Sequence, residues 1–407
     1  MNTLRGLAVI WLGGALGSAP AASLTRGPYL QNGTPTEITI RWRTDVPTAS
    51  YVTFGPSPAS QPDLVFSEVE TTEHEFTLTA LTPGTQYFYA IDDGITALAG
   101  GDAAHTFRTA PLSGVAAPVR VWVIGDSGTA AFGSTAPAAV RDAYLNSPIL
   151  AHNDVWLMLG DNAYGSGTDE EYQLAVFDIY PAFLRQTVLW STLGNHETYA
   201  DPDHPPYFDI FTLPRQAEAG GVASGTEHYY AFDYANVHFV CLDSMQSARA
   251  PGSPMLQWLA DDLASTEQRW IIAFWHHPPY SKGSHDSDFE TQLVEMRENV
   301  LPILEAGGVD LVLSGHSHAY ERSHFIDGHY GPSSTLVPGM VKDGGDGRED
   351  GTGAYGKDSV LHAGAVYVVA GSSGQVSGGA LNHPVMFTSL SQLGSLVLDV
   401  NGDRLDA

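Results

Sequence analysis

The spacing of the apolar residues changes near residue 110, and this change divides the chain into two regions of different architecture. From about Leu24 to Thr109, apolar and polar residues alternate in short runs that proline and glycine separate, as is typical of antiparallel strands. The clearest runs are 37–42, 50–54, 75–79 and 86–90. We therefore predict a small all-β sandwich over residues 24–110, followed by a Pro/Ser/Gly/Ala linker over residues 110–118.

Beyond the linker, apolar strands alternate with longer helical segments, which predicts an α/β domain over residues 118–407. The predicted strands are 119–124, 155–159, 188–192, 270–275 and 311–314. The predicted helices are 137–145, 170–184, 254–265 and 289–306. A chain of 407 residues is long enough to bury the cores of two such domains.

The first 22 residues have the pattern of a cleaved secretory signal peptide. Arg5 is followed by an apolar run over 6–16 and by small residues over 18–22. This run is too short for a membrane anchor, and no later segment is longer and as apolar. We therefore expect a secreted or periplasmic protein without a membrane span.

The charge and the cysteine content narrow the function classes. The formal net charge of -28 disfavours binding to nucleic acid and to anionic membranes, and it disfavours a polyanionic substrate. The single cysteine, Cys241, can form no intrachain disulfide. Because it lies in the apolar run 237–242, we predict that it is a buried strand residue and not a nucleophile.

Three glycine-containing loops follow predicted strands, and each carries oxygen ligands for a metal ion. They are GDSG at 125–128, GDNAY at 160–164 and GNHE at 194–197. The carboxylates of Asp126 and Asp161 suit hard cations, a carboxylate can bridge two of them, and the phenolate of Tyr164 suits a ferric ion. Asn195 offers an amide oxygen, and His196 is free to donate a proton or a hydrogen bond.

Two further segments supply imidazole ligands. They are HHPPY at 276–280 and GHSHAYER at 315–322. In the second segment, His316 and His318 lie two residues apart and so share one side of an extended chain. Together with the carboxylates they provide enough ligands for two metal ions.

The ordered set of these five motifs resembles the metallophosphoesterases, and more narrowly the purple acid phosphatases. Tyr164 and the GHSHAYER run favour the purple acid phosphatases among the metallophosphoesterases. Serine/threonine protein phosphatases carry Asp-Arg-Gly after the second aspartate, and that sequence is absent here. The segment 81–87 also resembles the tyrosine corner of fibronectin type III-like domains. The resemblance implies a fibronectin-like sandwich followed by two mixed sheets flanked by helices in an αββα sandwich.

The resemblance also implies roles for individual residues, which we state as expectations. A ferric ion would be held by Asp126, Tyr164 and His318. A divalent ion (Zn²⁺, Mn²⁺ or Fe²⁺) would be held by Asn195, His276 and His316, with Asp161 bridging the two ions. His276 is preferred over His277 as the ligand, and His196 and His285 would line the phosphate pocket as catalytic residues.

The expected reaction is hydrolysis of a small phosphate monoester by metal-bound hydroxide, as in an acid phosphatase. A metallophosphodiesterase or a nucleotidase on the same scaffold is the alternative within the enzymes, since related proteins share these ligands. A secreted binding module without activity is the alternative from another class, and the complete ligand set disfavours it. The oligomeric state stays open.

Two segments have no part in the predicted metal site. The Asp/Gly-rich insert 342–353 does not have the spacing of an EF-hand calcium loop, so we predict a mobile acidic loop there. Residues 396–400 predict a strand that enters a turn at 401–403. Only four residues follow, which is short for a return strand, and we expect the chain to be a truncated form of a longer protein.

Overall fold

A computed structural model describes residues 22–147, 152–358 and 363–407. Apart from Ala22, the predicted signal peptide lies outside these residues, so the prediction stands on the sequence alone. No helix within the described ranges combines the length and the hydropathy needed to cross a bilayer.

The amino-terminal domain is built from antiparallel strands, as predicted. They are β1 (Leu24–Gln31), β2 (Ile38–Gly55), β3 (Asp63–Leu78), β4 (Gln86–Asp92), β5 (Ala97–Gly100) and β6 (Thr106–Arg108). The order in the sheet is β1-β2-β4-β5, with β3 paired to β2 and β6 paired to β4. The Tyr87 hydroxyl accepts a hydrogen bond from the Thr82 amide at 3.0 Å, which is the contact expected of a tyrosine corner.

Strand β2 corrects the prediction of separate strands at 37–42 and 50–54, because one strand spans both. Pro47 lies where the pairing with β3 shifts register, between Arg43 opposite Glu73 and Thr48 opposite Thr71. A proline has no N–H for the ladder, but an irregular position in a strand tolerates it. The predicted turn is therefore an irregularity within a continuous strand.

The second domain contains fourteen strands within the described residues. They are β7 (Val119–Ile124), β8 (Val155–Met158), β9 (Leu189–Ser191), β10 (Tyr230–Tyr234), β11 (Val237–Cys241), β12 (Trp270–Trp275), β13 (Leu311–Ser314), β14 (Tyr320–Ser323), β15 (Phe325–Ile326), β16 (Val341–Asp343), β17 (Val366–Ala370), β18 (Met386–Leu390), β19 (Leu396–Asn401) and β20 (Arg404–Asp406). Its α-helices are α1 (Ala136–Leu145), α2 (Asp169–Tyr172), α3 (Pro181–Leu184), α4 (Tyr207–Ile210), α5 (Pro254–Ser265), α6 (Thr291–Glu295) and α7 (Leu301–Ala306).

Two mixed sheets form the centre of this domain, as the resemblance implied. One has the order β20-β19-β7-β8-β9, and the other has the order β10-β11-β12-β13-β17-β14-β18. Strands β7, β8 and β9 run parallel, and so do β11, β12, β13 and β17.

Alternate residues of β12 belong to different buried clusters, which shows how the layers stack. Phe274 packs with residues of the other sheet, such as Leu157, whereas Trp275 packs in the cluster that includes Leu259 of α5 and Leu304 of α7. On the other side, Trp122 stacks on Tyr144 of α1. Helices therefore flank two facing sheets.

Proline interrupts two of the predicted helices. The segment predicted as helix 170–184 is split into α2, a π-helical turn over Gln173–Phe177 and α3, which begins at Pro181. The segment predicted at 289–306 has a π-helical turn over Met296–Val300 before Pro302. In each case the proline cannot donate the hydrogen bond that a continuous α-helix requires four residues back.

The structure bears on three further predictions. Cys241 is fully buried in β11, as predicted. A return strand, β20, does pair with β19, so the expectation that too few residues follow was wrong. In the acidic insert, Asp346 accepts hydrogen bonds from the Arg348 and Thr352 amides, and the mobility of this loop stays a prediction.

Candidate metal centre

The predicted ligands converge at the carboxyl ends of parallel strands from both sheets. Asp126 follows β7, Asp161 follows β8, His276 follows β12 and His316 follows β13. Asn195 follows β9 in the same way. Because the two sheets face each other, their strand ends place these loops around one polar site.

Three of these residues adopt left-handed backbone conformations at the strand ends. The φ angles are 56° at Asp126, 53° at Asp161 and 65° at His316. Such values are uncommon outside glycine, and they concentrate at sites where the surrounding structure imposes them. The packing is also tight, since a Cβ added at Gly194 would lie 2.2 Å from Asp161 Oδ1.

Asp126, Tyr164 and His318 form the first group of ligands. The Tyr164 hydroxyl lies 3.2 Å from Asp126 Oδ1 and 3.2 Å from His318 Nε2. His318 Nε2 lies 3.5 Å from Asp126 Oδ1. The other Asp126 oxygen accepts a hydrogen bond from the His316 amide at 2.8 Å, which leaves Oδ1 facing the group.

Asn195, His276 and His316 form the second group. His276 Nε2 lies 3.1 Å from Asn195 Oδ1 and 3.2 Å from His316 Nδ1. His276 Nδ1 lies 2.8 Å from the Leu159 carbonyl oxygen, which only an N–H can satisfy. In the neutral ring, Nε2 therefore carries a lone pair directed at the other ligand atoms.

Asp161 lies between the two groups. Its Oδ1 is 3.4 Å from His276 Nε2, and it accepts a hydrogen bond from the His196 amide at 3.0 Å. Asp126, Asp161 and His276 each offer a ligand atom within 4.8 Å of the others. The carboxylate of Asp161 thus lies within 4.8 Å of a ligand atom from each group.

The chemistry of this donor set fits cations. Burial, and then the carboxylates of Asp126 and Asp161, raise the pKa of the Tyr164 phenol well above its usual value. Burial opposes protonation of His276, but Asp161 and Asp126 nevertheless raise its pKa to about 9. Protons thus balance the carboxylates when no metal is bound, and a metal ion would replace them.

His276 and His277 have different contacts in the structure. His276 points at Asp161 and Asn195, whereas His277 Nδ1 lies 2.8 Å from the Ser244 hydroxyl. Burial, together with the nearby His316 and His276, lowers the pKa of His277 well below its usual value. His277 is therefore a buried neighbour that packs its ring against His316 at 4.4 Å.

The two predicted catalytic histidines lie at the mouth of the site. The side chains of His196 and His285 are 27% and 31% exposed, whereas that of His276 is fully buried. His196 Nδ1 lies 2.7 Å from the Gly165 carbonyl oxygen. The ring of His285 lies 3.7 Å from that of His316. All nine predicted site residues are therefore brought together.

Sequence reasoning missed several supporting residues. Glu197 is the last letter of GNHE, and its buried carboxylate accepts hydrogen bonds from the amides of Asp161, Asn162 and Gly194 at 2.9, 2.7 and 2.6 Å. Its place in the motif was the signal that could have identified it.

No sequence signal identified the residues that orient the histidines. Glu290 Oε2 lies 2.9 Å from His285 Nδ1 and 3.3 Å from His316 Nε2, so it joins a catalytic candidate to a ligand candidate. The Ser377 hydroxyl lies 3.0 Å from His318 Nδ1. Glu290 and Ser377 both lie outside the five motifs.

Comparisons with known proteins identify the family of the chain. The calcineurin-like phosphoesterase model matches residues 119–320, and the purple acid phosphatase N-terminal domain model matches residues 27–109. Purple acid phosphatase 15 of Arabidopsis thaliana is 29% identical over 304 residues, covering 67% of this chain and 53% of the relative. Probable purple acid phosphatase 20 of the same plant is 30% identical over 255 residues, covering 60% and 53%.

The chain thus spans about half the length of the curated relatives it matches. The structure of purple acid phosphatase PPD1 from yellow lupin (Lupinus luteus) seeds has the same fold, with a TM-score of 0.66 at 18% identity. That match covers 93% of this chain and 70% of the lupin chain. The chain belongs to the calcineurin-like phosphoesterases as a purple acid phosphatase-like member, and this family implies a binuclear metal centre.

Proposed function

We propose that this chain hydrolyses phosphate monoesters at a binuclear metal centre, as an acid phosphatase. The observation that carries the proposal is the position of Asp161 between two groups of ligand atoms. One group is Asp126, Tyr164 and His318, and the other is Asn195, His276 and His316. Six donors around a shared carboxylate are what two adjacent cations require.

In this proposal the two groups hold different ions. Asp126, Tyr164 and His318 would hold Fe³⁺, because a phenolate is a hard anionic ligand. Asn195, His276 and His316 would hold the divalent ion, which would be Zn²⁺, Mn²⁺ or Fe²⁺, and Asp161 would be shared by the two ions. When bound, the two cations supply Lewis acidity that stabilises the charge on the phosphate oxygens and acidifies water.

The chain's own residues position the ester and manage the leaving-group proton. His196 and His285 reach the mouth of the site with partly exposed rings. The nitrogen Nδ1 of His285 is held by Glu290, so Nε2 can face the phosphate. Either ring, when protonated, can bind a phosphate oxygen or donate a proton to the departing alkoxide.

The test is metal analysis and a visible spectrum on protein purified without chelators, followed by kinetics. We expect two metal ions per chain and faster turnover of p-nitrophenyl phosphate than of bis(p-nitrophenyl) phosphate. Preference for the diester would contradict the monoesterase and favour the phosphodiesterase. Two bound metals without hydrolysis of either ester would contradict both and favour a binding protein without activity.

We further propose that the protein is exported, on the pattern of residues 1–22 alone. Amino-terminal sequencing of the protein from its producing cells tests this. We expect the mature chain to begin near Ala22 or Ser23, and an uncleaved chain in the cytoplasm would contradict export.

A further inference from the structure

Two large aromatic side chains lie exposed beside the metal centre. Phe132 is 69% exposed and Tyr199 is 54% exposed. Phe132 ends the short 3₁₀ helix Gly128–Phe132 that follows Asp126, and Tyr199 follows the GNHE loop. Each is therefore carried by a loop that also carries a ligand candidate, although neither side chain contributes a ligand atom.

Tyr199 contacts His196 directly, and Phe132 contacts the residue that holds His196. The Tyr199 ring lies 4.9 Å from the His196 ring, on which Tyr164 packs at 4.3 Å. The Phe132 ring lies against Gly165, where an added Cβ would be 2.8 Å from Phe132 Cζ. The Gly165 carbonyl oxygen lies 2.7 Å from His196 Nδ1, so both aromatic residues belong to the surroundings of the proposed proton donor.

The net charge of the protein disfavours a substrate that carries several negative charges. Among residues 22–147, 152–358 and 363–407, no lysine or arginine forms a hydrogen bond or ion pair with any of the nine predicted site residues. Lys282, in the loop before His285, is held by Asp286 and Asp288 at 3.3 and 3.0 Å. The net charge of -28 adds a general repulsion of polyanions.

We propose that Phe132 and Tyr199 form a leaving-group subsite that selects phosphate monoesters of aromatic alcohols carrying a single phosphate. This inference rests on the proposed function. The phosphate lies at the metal centre, and the aromatic ring of the alcohol packs against Phe132 and Tyr199. His196, in contact with Tyr199, is then next to the oxygen that leaves, where its proton is needed.

The subsite has a measurable consequence because offset or edge-to-face ring contacts stabilise a bound aromatic group beyond burial alone. We expect removal of one ring to lower kcat/KM for an aromatic ester by about 3- to 10-fold. An alkyl ester makes no such contact, so its kcat/KM should stay within about 2-fold, the scatter expected of a surface substitution.

The experiment compares phenyl phosphate with hexafluoroisopropyl phosphate, whose alcohols have similar acidity, in the metal-loaded enzyme. Phosphate release is measured for wild type, Phe132→Ala and Phe132→Leu. Phe66→Ala is the matched control, since Phe66 is 56% exposed but lies on β3 of the amino-terminal domain. Competitive inhibition by inorganic phosphate reports on the metal site separately, and thermal unfolding checks the fold.

We expect the kcat/KM of wild type to be higher for the phenyl ester than for the hexafluoroisopropyl ester. The ratio of the two values should fall by about 3- to 10-fold in Phe132→Ala and by an intermediate amount in Phe132→Leu. Inhibition by phosphate should be the same in all four proteins. Equal loss with both esters, or no loss with either, overturns the subsite and leaves the phosphatase intact. Metal-loaded wild type that hydrolyses neither ester overturns both proposals.

Discussion

The carboxylate of Glu197 accepts a hydrogen bond from the Asp161 amide at 2.9 Å and so fixes the residue between the two ligand groups. The same carboxylate accepts from the Gly194 amide at 2.6 Å, just before Asn195. One buried side chain therefore joins the two loops that supply Asp161 and Asn195. Burial, and then the negative charge of Asp161, raise the pKa of Glu197 to about 7.

Glu197→Gln should weaken metal binding, because the amide loses one acceptor and turns an NH₂ group toward backbone N–H donors. We expect about 10- to 100-fold lower metal affinity, the usual effect of losing a residue that supports ligands. Competition with a chelator measures it. Asp243→Asn is the control, since Asp243 is also buried and accepts backbone amides but supports no ligand loop. Equal loss of metal in both variants would contradict the specific role of Glu197.

Tyr164→Phe should abolish visible absorption, because a phenolate bound to Fe³⁺ is the proposed source of the colour. The fold should persist, since the substitution keeps the buried ring and removes only the hydroxyl that contacts Asp126 and His318. The measurement is a visible spectrum with iron analysis. Tyr199→Phe is the control and should keep the colour. A colourless, active wild type containing only zinc or manganese would contradict the assignment of Fe³⁺ but not the phosphoesterase activity.

Substitution of the two adjacent histidines should have unequal effects. His276→Ala should lower divalent-metal occupancy and reduce kcat/KM by at least about 100-fold, because it removes a ligand candidate. His277→Ala should retain both metals and lose roughly 1–3 kcal/mol of stability, because Ser244 loses its buried partner. Metal content, kinetics and denaturant unfolding distinguish the two. Loss of metal from the His277 variant alone would reverse the ligand assignment.

His238 should make the fold less stable at alkaline pH. It is buried between Asp233 and Asp262, with nitrogen–oxygen distances of 2.7 and 2.8 Å. Although burial opposes protonation, these carboxylates raise the pKa of His238 to about 9. The unfolded value is about 6.5, so its stabilisation is complete below about pH 6.5 and is lost as the pH rises through about 9.

Urea unfolding of the metal-loaded protein at pH 6 and pH 10 measures this loss. We expect on the order of 2–3 kcal/mol in wild type between these values. The loss should be much smaller in His238→Gln, which cannot be protonated. The same pH dependence in both proteins would assign the effect to other groups.

Much of the architecture was predictable because it follows from local patterns. Apolar runs identified β7, β12 and β13, and α5 has the predicted bounds. Local patterns failed where the chain contains proline. Pro47 suggested a turn inside β2, and Pro181 did not stop the prediction of one helix over 170–184, because hydrogen bonding across these positions depends on neighbouring segments.

The sequence by itself supplied the nine candidate site residues, because eight of them lie in five short motifs whose residue types suit metal ions, and the family resemblance added His285. Only the tertiary structure decided which atoms face each other. It placed His276 rather than His277 toward Asp161, and it brought Glu290 to His316 and Ser377 to His318 across 26 and 59 residues of chain. Contacts of this kind arise from the way two sheets face each other, and no local pattern in the chain encodes that arrangement.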